Sequence, residues 1–181
     1  MPSPTATPAG EIACTGIDSV TVKLGLDGVA HDLNNFVAKR LRPLILRTAQ
    51  GTYSQAQMRS LNRRLNQATA QSDKLYNAAW TSAWVTIPQR LEFCPSDPEC
   101  ISTATVSGVD VYQKSVDGIQ VLAAGLIKNE FKKIAGVNSG KKVSKQLDGI
   151  YGEAKKQIST LNKEIESLIK LEESSGACKV K

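Results

Sequence analysis

Val143, Leu147, Ile150, Ala154, Ile158, Leu161, Ile165 and Leu168 recur at steps of three and four through a stretch that is otherwise charged and polar. That spacing puts all of them on one face of a helix, as a heptad-like seam that is stable only when another helix covers it. The pattern predicts a helix over about 140–173, opening at Gly140 and Lys141 after Asn138-Ser139 and closing at Ser174-Ser175-Gly176. A helix of this length cannot bury its apolar face alone, so the rest of the chain must supply partners.

Two upstream segments meet that demand. Met58, Leu61, Leu65, Ala68, Leu75, Tyr76, Ala79, Trp80, Ala83, Trp84 and Ile87 follow the same rule, with Thr52 or Ser54 as a cap and Pro88 as a stop, predicting a helix over about 53–87. A third helix reads over about 101–135 through Val109, Tyr112, Val116, Ile119, Leu126, Ile127 and Phe131, capped near Ser102 and closed by Gly136. Gly108, Gly118 and Gly125 each weaken it by up to about 1 kcal/mol against Ala, which points to a close neighbour at those positions.

The first segment is mixed. Val20, Val22, Leu24 and Leu26 alternate as in a strand, whereas Ile17, Val20, Leu24, Leu33, Phe36, Val37, Leu41, Leu44 and Ile45 suit a helix over about 17–49, bent or broken by Gly25, Gly28 and Pro43. A lone strand would have no partner in a chain that otherwise reads helical, so the helix is preferred. The expected fold is all-α: an elongated up-down-up-down four-helix bundle over 14–178, roughly 50 Å long, behind a Pro/Thr/Ser-rich tether at 1–13 and before a short tail at 179–181. Residues 1–10 lack the charged start and apolar core of a signal peptide and read as a mature or trimmed terminus.

In that topology both ends of the chain fall at the same end of the rod, as does the Cys94-Pro-Ser-Asp-Pro-Glu-Cys100 loop. The expected pairing is therefore Cys94 with Cys100 and Cys14 with Cys178. The chain-entropy account gives about 2 kcal/mol for the short loop and about 5 kcal/mol for the long one. Disulfides of this kind place the protein outside the reducing cytosol, secreted or in a periplasm or at a cell surface. No window approaches the roughly 18 apolar residues of a membrane span.

Lys and Arg number 23 against 17 Asp and Glu. From His31 to Arg64 the cations Lys39, Arg40, Arg42, Arg47, Arg59, Arg63 and Arg64 face one acid, Asp32, so this strip alone carries the chain's net charge of +6 and the remainder sums to neutral. A basic strip suits an acidic protein or an anionic polysaccharide or surface; nucleic acid is disfavoured because no recognition-helix or stacking signature accompanies the charge. Tyr76, Trp80 and Trp84 share a helix face near the cysteine loop, where Asp97 and Glu99 stand, and together they form a second candidate contact surface.

Catalytic equipment is sparse. A single histidine, His31, cannot supply the repeated Glu-x-x-His units of di-iron bundles, no Cys-x-x-Cys-His occurs for covalent haem, and Met58 is the one Met within reach as a second haem ligand. Gly136 to Lys142 is one residue short of a phosphate loop and has Lys142 where a magnesium-binding hydroxyl belongs. The acids at 164 and 166, and at 172 and 173, lie on the polar face of the seam helix, where solvation is the default. The expectation is a non-enzymatic exported protein, with no metal or cofactor, that binds another macromolecule in a surface, adhesion, effector or appendage-assembly role. The alternatives are an extracytoplasmic sensor or carrier with an interhelical pocket beside Trp80 and Trp84, and a basic nucleic-acid-binding protein.

Overall fold

The computed structural model describes residues 28–92 and 98–175. They form four helices: α1 over 28–50, α2 over 55–92, α3 over 98–135 and α4 over Val137–Ser175. The described residues are all-α, with no strand among them. The tether, the ambiguous segment up to residue 27, Cys14, Cys94, Asp97 and Cys178 lie outside them.

Consecutive helices run antiparallel, as their cross-links show. Asn34 bonds Asp73 while Arg42 bonds Asn66, pairing α1 with α2. Arg64 meets Glu130 and Ser82 meets the Gly108 carbonyl, pairing α2 with α3. Tyr151 bonds Asp117, and Gly140 lies against the Lys132 side chain, pairing α3 with α4. The apolar faces close on one continuous core, with Leu33, Leu41, Ile45, Leu61, Leu65, Ile87, Tyr112, Ile119 and Leu147 almost fully buried. Within the C-terminal seam Val143, Leu147, Ala154, Ile158, Leu161 and Ile165 are buried and Ile150 is packed at its edge. Burial of this kind contributes roughly 1.5–3 kcal/mol per large aliphatic side chain.

The turns follow local chemistry. Ser54 caps α2 through a capping box: its hydroxyl accepts from the Gln57 amide at 3.2 Å, and the Gln57 side chain accepts from the Ser54 amide at 2.8 Å. Gly136 reverses the chain between α3 and α4 by itself. Its φ of +91° is a backbone state that only glycine adopts without strain, and its amide returns to the Lys132 carbonyl.

Pro88 behaves differently from the expectation and does not stop α2, which continues to Glu92, whereas Pro43 lies within the helix expected to contain it, α1. Each is the second residue after a wide π-helical turn, Ser82–Thr86 before Pro88 and Phe36–Leu41 before Pro43. Proline lacks an amide hydrogen and its ring crowds the carbonyl four residues back. A π turn places that carbonyl outside the tight ladder, so the helix accommodates the ring and runs on. Helices α3 and α4 also open three residues earlier than the spacing predicts. Pro98 sits at the first position of α3, where a missing amide hydrogen costs nothing, and α4 begins directly at Val137 after the Gly136 reversal.

Gly108 and Gly118 do sit under close neighbours, Ile87 and Leu75, whereas Gly125 faces open space apart from Asn129 at 3.9 Å. The buried Tyr112 ring puts its hydroxyl 2.9 Å from the Ala30 amide, which donates to it, tying the start of the described α1 to the middle of α3.

Candidate interaction surfaces

The strip cations divide into two kinds. Arg64 is committed to the interior. Its Nε and Nη2 donate to the two carboxylate oxygens of Glu130 at 2.6 and 3.0 Å, and its Nη1 donates to the Ser60 hydroxyl at 2.8 Å. Glu130 projects inward from the third π turn, Ile127–Phe131, and its side chain retains 10% exposure against 45% for Arg64. The hydrogen bond to Glu130 is the main cause that raises the Arg64 pKa above its ordinary value. Arg42 is half-buried and held by Asn66. Arg40 is exposed, with its Nε 2.8 Å from the Gln146 side-chain oxygen on α4. Lys39, Arg47, Arg59 and Arg63 are exposed, and none of them enters an ion pair among the described residues.

The aromatic face is also divided. Tyr76 and Trp84 pack against the core, while Trp80 is 42% exposed and stacks on Trp84 with ring centres 6.2 Å apart. Glu99 is exposed in the first turn of α3. Cys100 is half-buried against the core and does not carry a free thiol. Ser82 and Arg90 of α2 reach Gly108 and Ser107 of α3, so this face stands at the same end of the hairpin as Cys100.

His31 is exposed on α1, with Nε2 2.8 Å from the Asn35 side-chain nitrogen and its ring tilted against Tyr76. Met58, in the first turn of α2, belongs to the opposite end of the α1–α2 pair, because residue 34 is level with 73 and residue 42 with 66. The structure therefore does not bring His31 and Met58 together. Among the described residues no cluster of three or more His, Cys, Asp or Glu side chains has metal-binding geometry, and no helix is long and apolar enough to cross a membrane.

Clefts open between helices among the described residues. One, of about 300 Å³, lies between α3 and α4 and is lined by Ser102, Val106, Asp110, Gln113, Asn162 and Glu166. Another, a shallow groove of about 510 Å³ between α1 and α4, has Phe36 and Ile150 in its lining and Arg40 and Lys145 beside them.

The fold assembles one group that the spacing of charges along the chain does not reveal. The C-terminal part of α1 packs against 127–135, so the turn at 51–54 and the Gly136 reversal stand at the same end of the molecule. Lys128, Lys132, Lys133, Lys141, Lys142 and Lys145 thereby join the strip, and all six are exposed. Residues 36–64 and 126–148 together hold thirteen Lys or Arg against two acids, Glu130 and Asp148, leaving ten against fifteen for the rest of the chain. A neutral total outside the strip conceals this, because the lysines of 126–148 cancel against acids elsewhere. Counting charge over 126–148 alone is the signal that finds them.

Compared with protein-family models, with curated proteins and with solved structures, the chain matches none.

Proposed function

We infer that this is a non-enzymatic exported protein that binds another macromolecule, using the basic surface for attraction and the cysteine-loop end for selectivity. The observation that carries this reading is the set of exposed strip cations, Lys39, Arg47, Arg59 and Arg63, held on rigid helices without an internal carboxylate to neutralise them. A charge that is neither buried nor paired contributes little to stability and much to the encounter rate and salt-sensitive affinity of an oppositely charged partner. Arg64 and Arg42 are assigned to the scaffold, because Glu130 and Asn66 occupy them.

The scaffold of this reading is an up-down-up-down bundle braced by Cys94–Cys100 and Cys14–Cys178 bridges. Antiparallel neighbours and the absence of a free thiol at Cys100 support it. A bridged loop beside the stacked Trp80 and Trp84 would hold Asp97 and Glu99 in a fixed conformation, which lowers the entropic cost of recognition.

The test has two arms. A non-reducing peptide map is expected to join Cys94 to Cys100 and Cys14 to Cys178, and four reduced thiols in the native protein would overturn the exported assignment. The native protein is then presented with an immobilised acidic protein and an anionic polysaccharide at rising salt. Binding that fades as the Debye length shortens from about 10 to about 3 Å is expected. Absence of binding to either probe at low salt would remove acidic proteins and polysaccharides as partners of the basic surface.

A further inference from the structure

We propose that the basic end of the molecule, where the 51–54 turn and the Gly136 reversal stand side by side, docks end-on to an anionic lipid bilayer surface. This rests on the macromolecule-binding reading above and names its partner.

The placement of charge is the first ground. Lys132, Lys133, Lys141 and Lys142 lie within two turns of Gly136, and Arg47 and Arg59 within two turns of the neighbouring 51–54 turn. At about 1.5 Å per residue these six are within roughly one Debye length of the tip at physiological salt. They belong to all four helices, so the cations surround an end of the molecule and do not line a track along its side. A linear polyanion is best followed by a groove or a stripe, whereas a charged plane is best met by a ring of cations facing it at once.

The chemistry of the cations is the second ground. Between 126 and 148 every basic residue is Lys, a strongly hydrated point charge on a flexible stem. Such groups respond to the diffuse field of a headgroup layer, where each basic residue near the surface strengthens binding by roughly fivefold. They lack the planar fork that reads a particular phosphate or base edge.

The third ground is the apolar residue inside the ring. Val137 follows Gly136 at the tip, is 52% exposed, and is flanked in sequence by Lys132 and Lys133 on one side and Lys141 and Lys142 on the other. Half-buried Tyr53 occupies the adjoining turn. A bilayer interface accepts an apolar contact beneath its charged layer, with a tyrosine at headgroup level, while a polysaccharide or a nucleic acid backbone offers nothing comparable to Val137. The opposite charge balance of the rest of the chain orients the molecule, since the acid-rich remainder is repelled by the surface that attracts this end.

The experiment is co-sedimentation of the full native chain with phosphatidylcholine vesicles that either contain or lack phosphatidylglycerol, alongside heparin and duplex DNA as soluble competitors. Binding to the phosphatidylglycerol vesicles alone is expected. Lys132→Gln, Lys133→Gln, Lys141→Gln and Lys142→Gln combined should weaken it by roughly a hundredfold or more. Lys74→Gln, Lys155→Gln, Lys156→Gln and Lys163→Gln combined remove the same charge from other exposed positions and should leave it within about twofold, because those side chains lie beyond the reach of the surface field. Circular dichroism of both variants keeps loss of fold separate from loss of binding. The proposal is overturned by equal sedimentation with both vesicle types, by equal losses in the two variants, or by tighter binding of heparin or DNA than of vesicles. A chain that ignores vesicles yet takes up the acidic protein or polysaccharide loses this proposal and keeps the broader reading, and one that binds no anionic probe loses both.

Discussion

At the scale of single residues, several polar side chains that cross between helices meet a specific partner. Glu130 is the clearest case, a nearly buried carboxylate whose two oxygens accept from the Arg64 guanidinium. Arg64→Met is expected to lower stability by about 2 kcal/mol in urea unfolding, since it strands that carboxylate, and adding Glu130→Leu should recover most of the loss. Tyr151 gives a pH-dependent counterpart. Its hydroxyl donates to Asp117 at 2.6 Å, and this hydrogen bond above all pushes the phenol pKa up from 10.0 to about 12. A folded value above the unfolded one means that the bond contributes fully below about pH 10 and is lost as pH rises through about 12. Tyr151→Phe should therefore cost about 1 kcal/mol at neutral pH, and the gap between variant and parent should close on alkaline titration. A gap that persists unchanged to high pH would show that the ring's packing, not the hydroxyl, is what matters.

At the scale of elements, the apolar periodicity predicts the helices well because burial is what selects their faces. The positions named for α3, from Val109 through Phe131, are all buried. Boundaries and breakers are less legible, since they depend on the geometry of a turn and not on residue type alone. Pro88 reads as a stop, yet the π turn at Ser82–Thr86 lets α2 pass through it. Likewise Trp80 fits the apolar rhythm of α2 but remains exposed. The glycines of α3 separate in the same way. A methyl group on Gly108 would overlap the buried Ile87 side chain, whereas one on Gly125 meets only ordinary contact. Gly108→Ala should lower the melting temperature, through a destabilisation of about 1–3 kcal/mol, and Gly125→Ala should raise it by adding up to about 1 kcal/mol of helix propensity.

At the scale of the whole molecule, the dominant property is the gathering of thirteen Lys and Arg residues, from 36–64 and 126–148, toward the end that holds the 51–54 turn and Gly136. Like charges held together by the fold repel, and the unfolded chain relieves that repulsion. The melting temperature should therefore rise as the Debye length is cut from about 30 Å to about 3 Å by added salt. The rise should be smaller for the variant lacking Lys132, Lys133, Lys141 and Lys142. An equal rise in both would place the repulsion elsewhere in the molecule.

The sequence by itself determined the all-α class, the faces that turn inward, a cap at Thr52 or Ser54 and the turn at Gly136. Each depends on contacts within a few residues, or on a 3.6-residue period that burial imposes. The basic strip at 39–64 was legible in the same way, because its charges are neighbours in the chain. Tertiary structure decided which of those cations are available, withdrawing Arg64 to Glu130 and Arg42 to Asn66, and it decided that the lysines of 126–148 stand beside the rest. Electrostatic potential sums over distance in space, and residues about ninety positions apart become neighbours only when antiparallel helices bring two turns to one end.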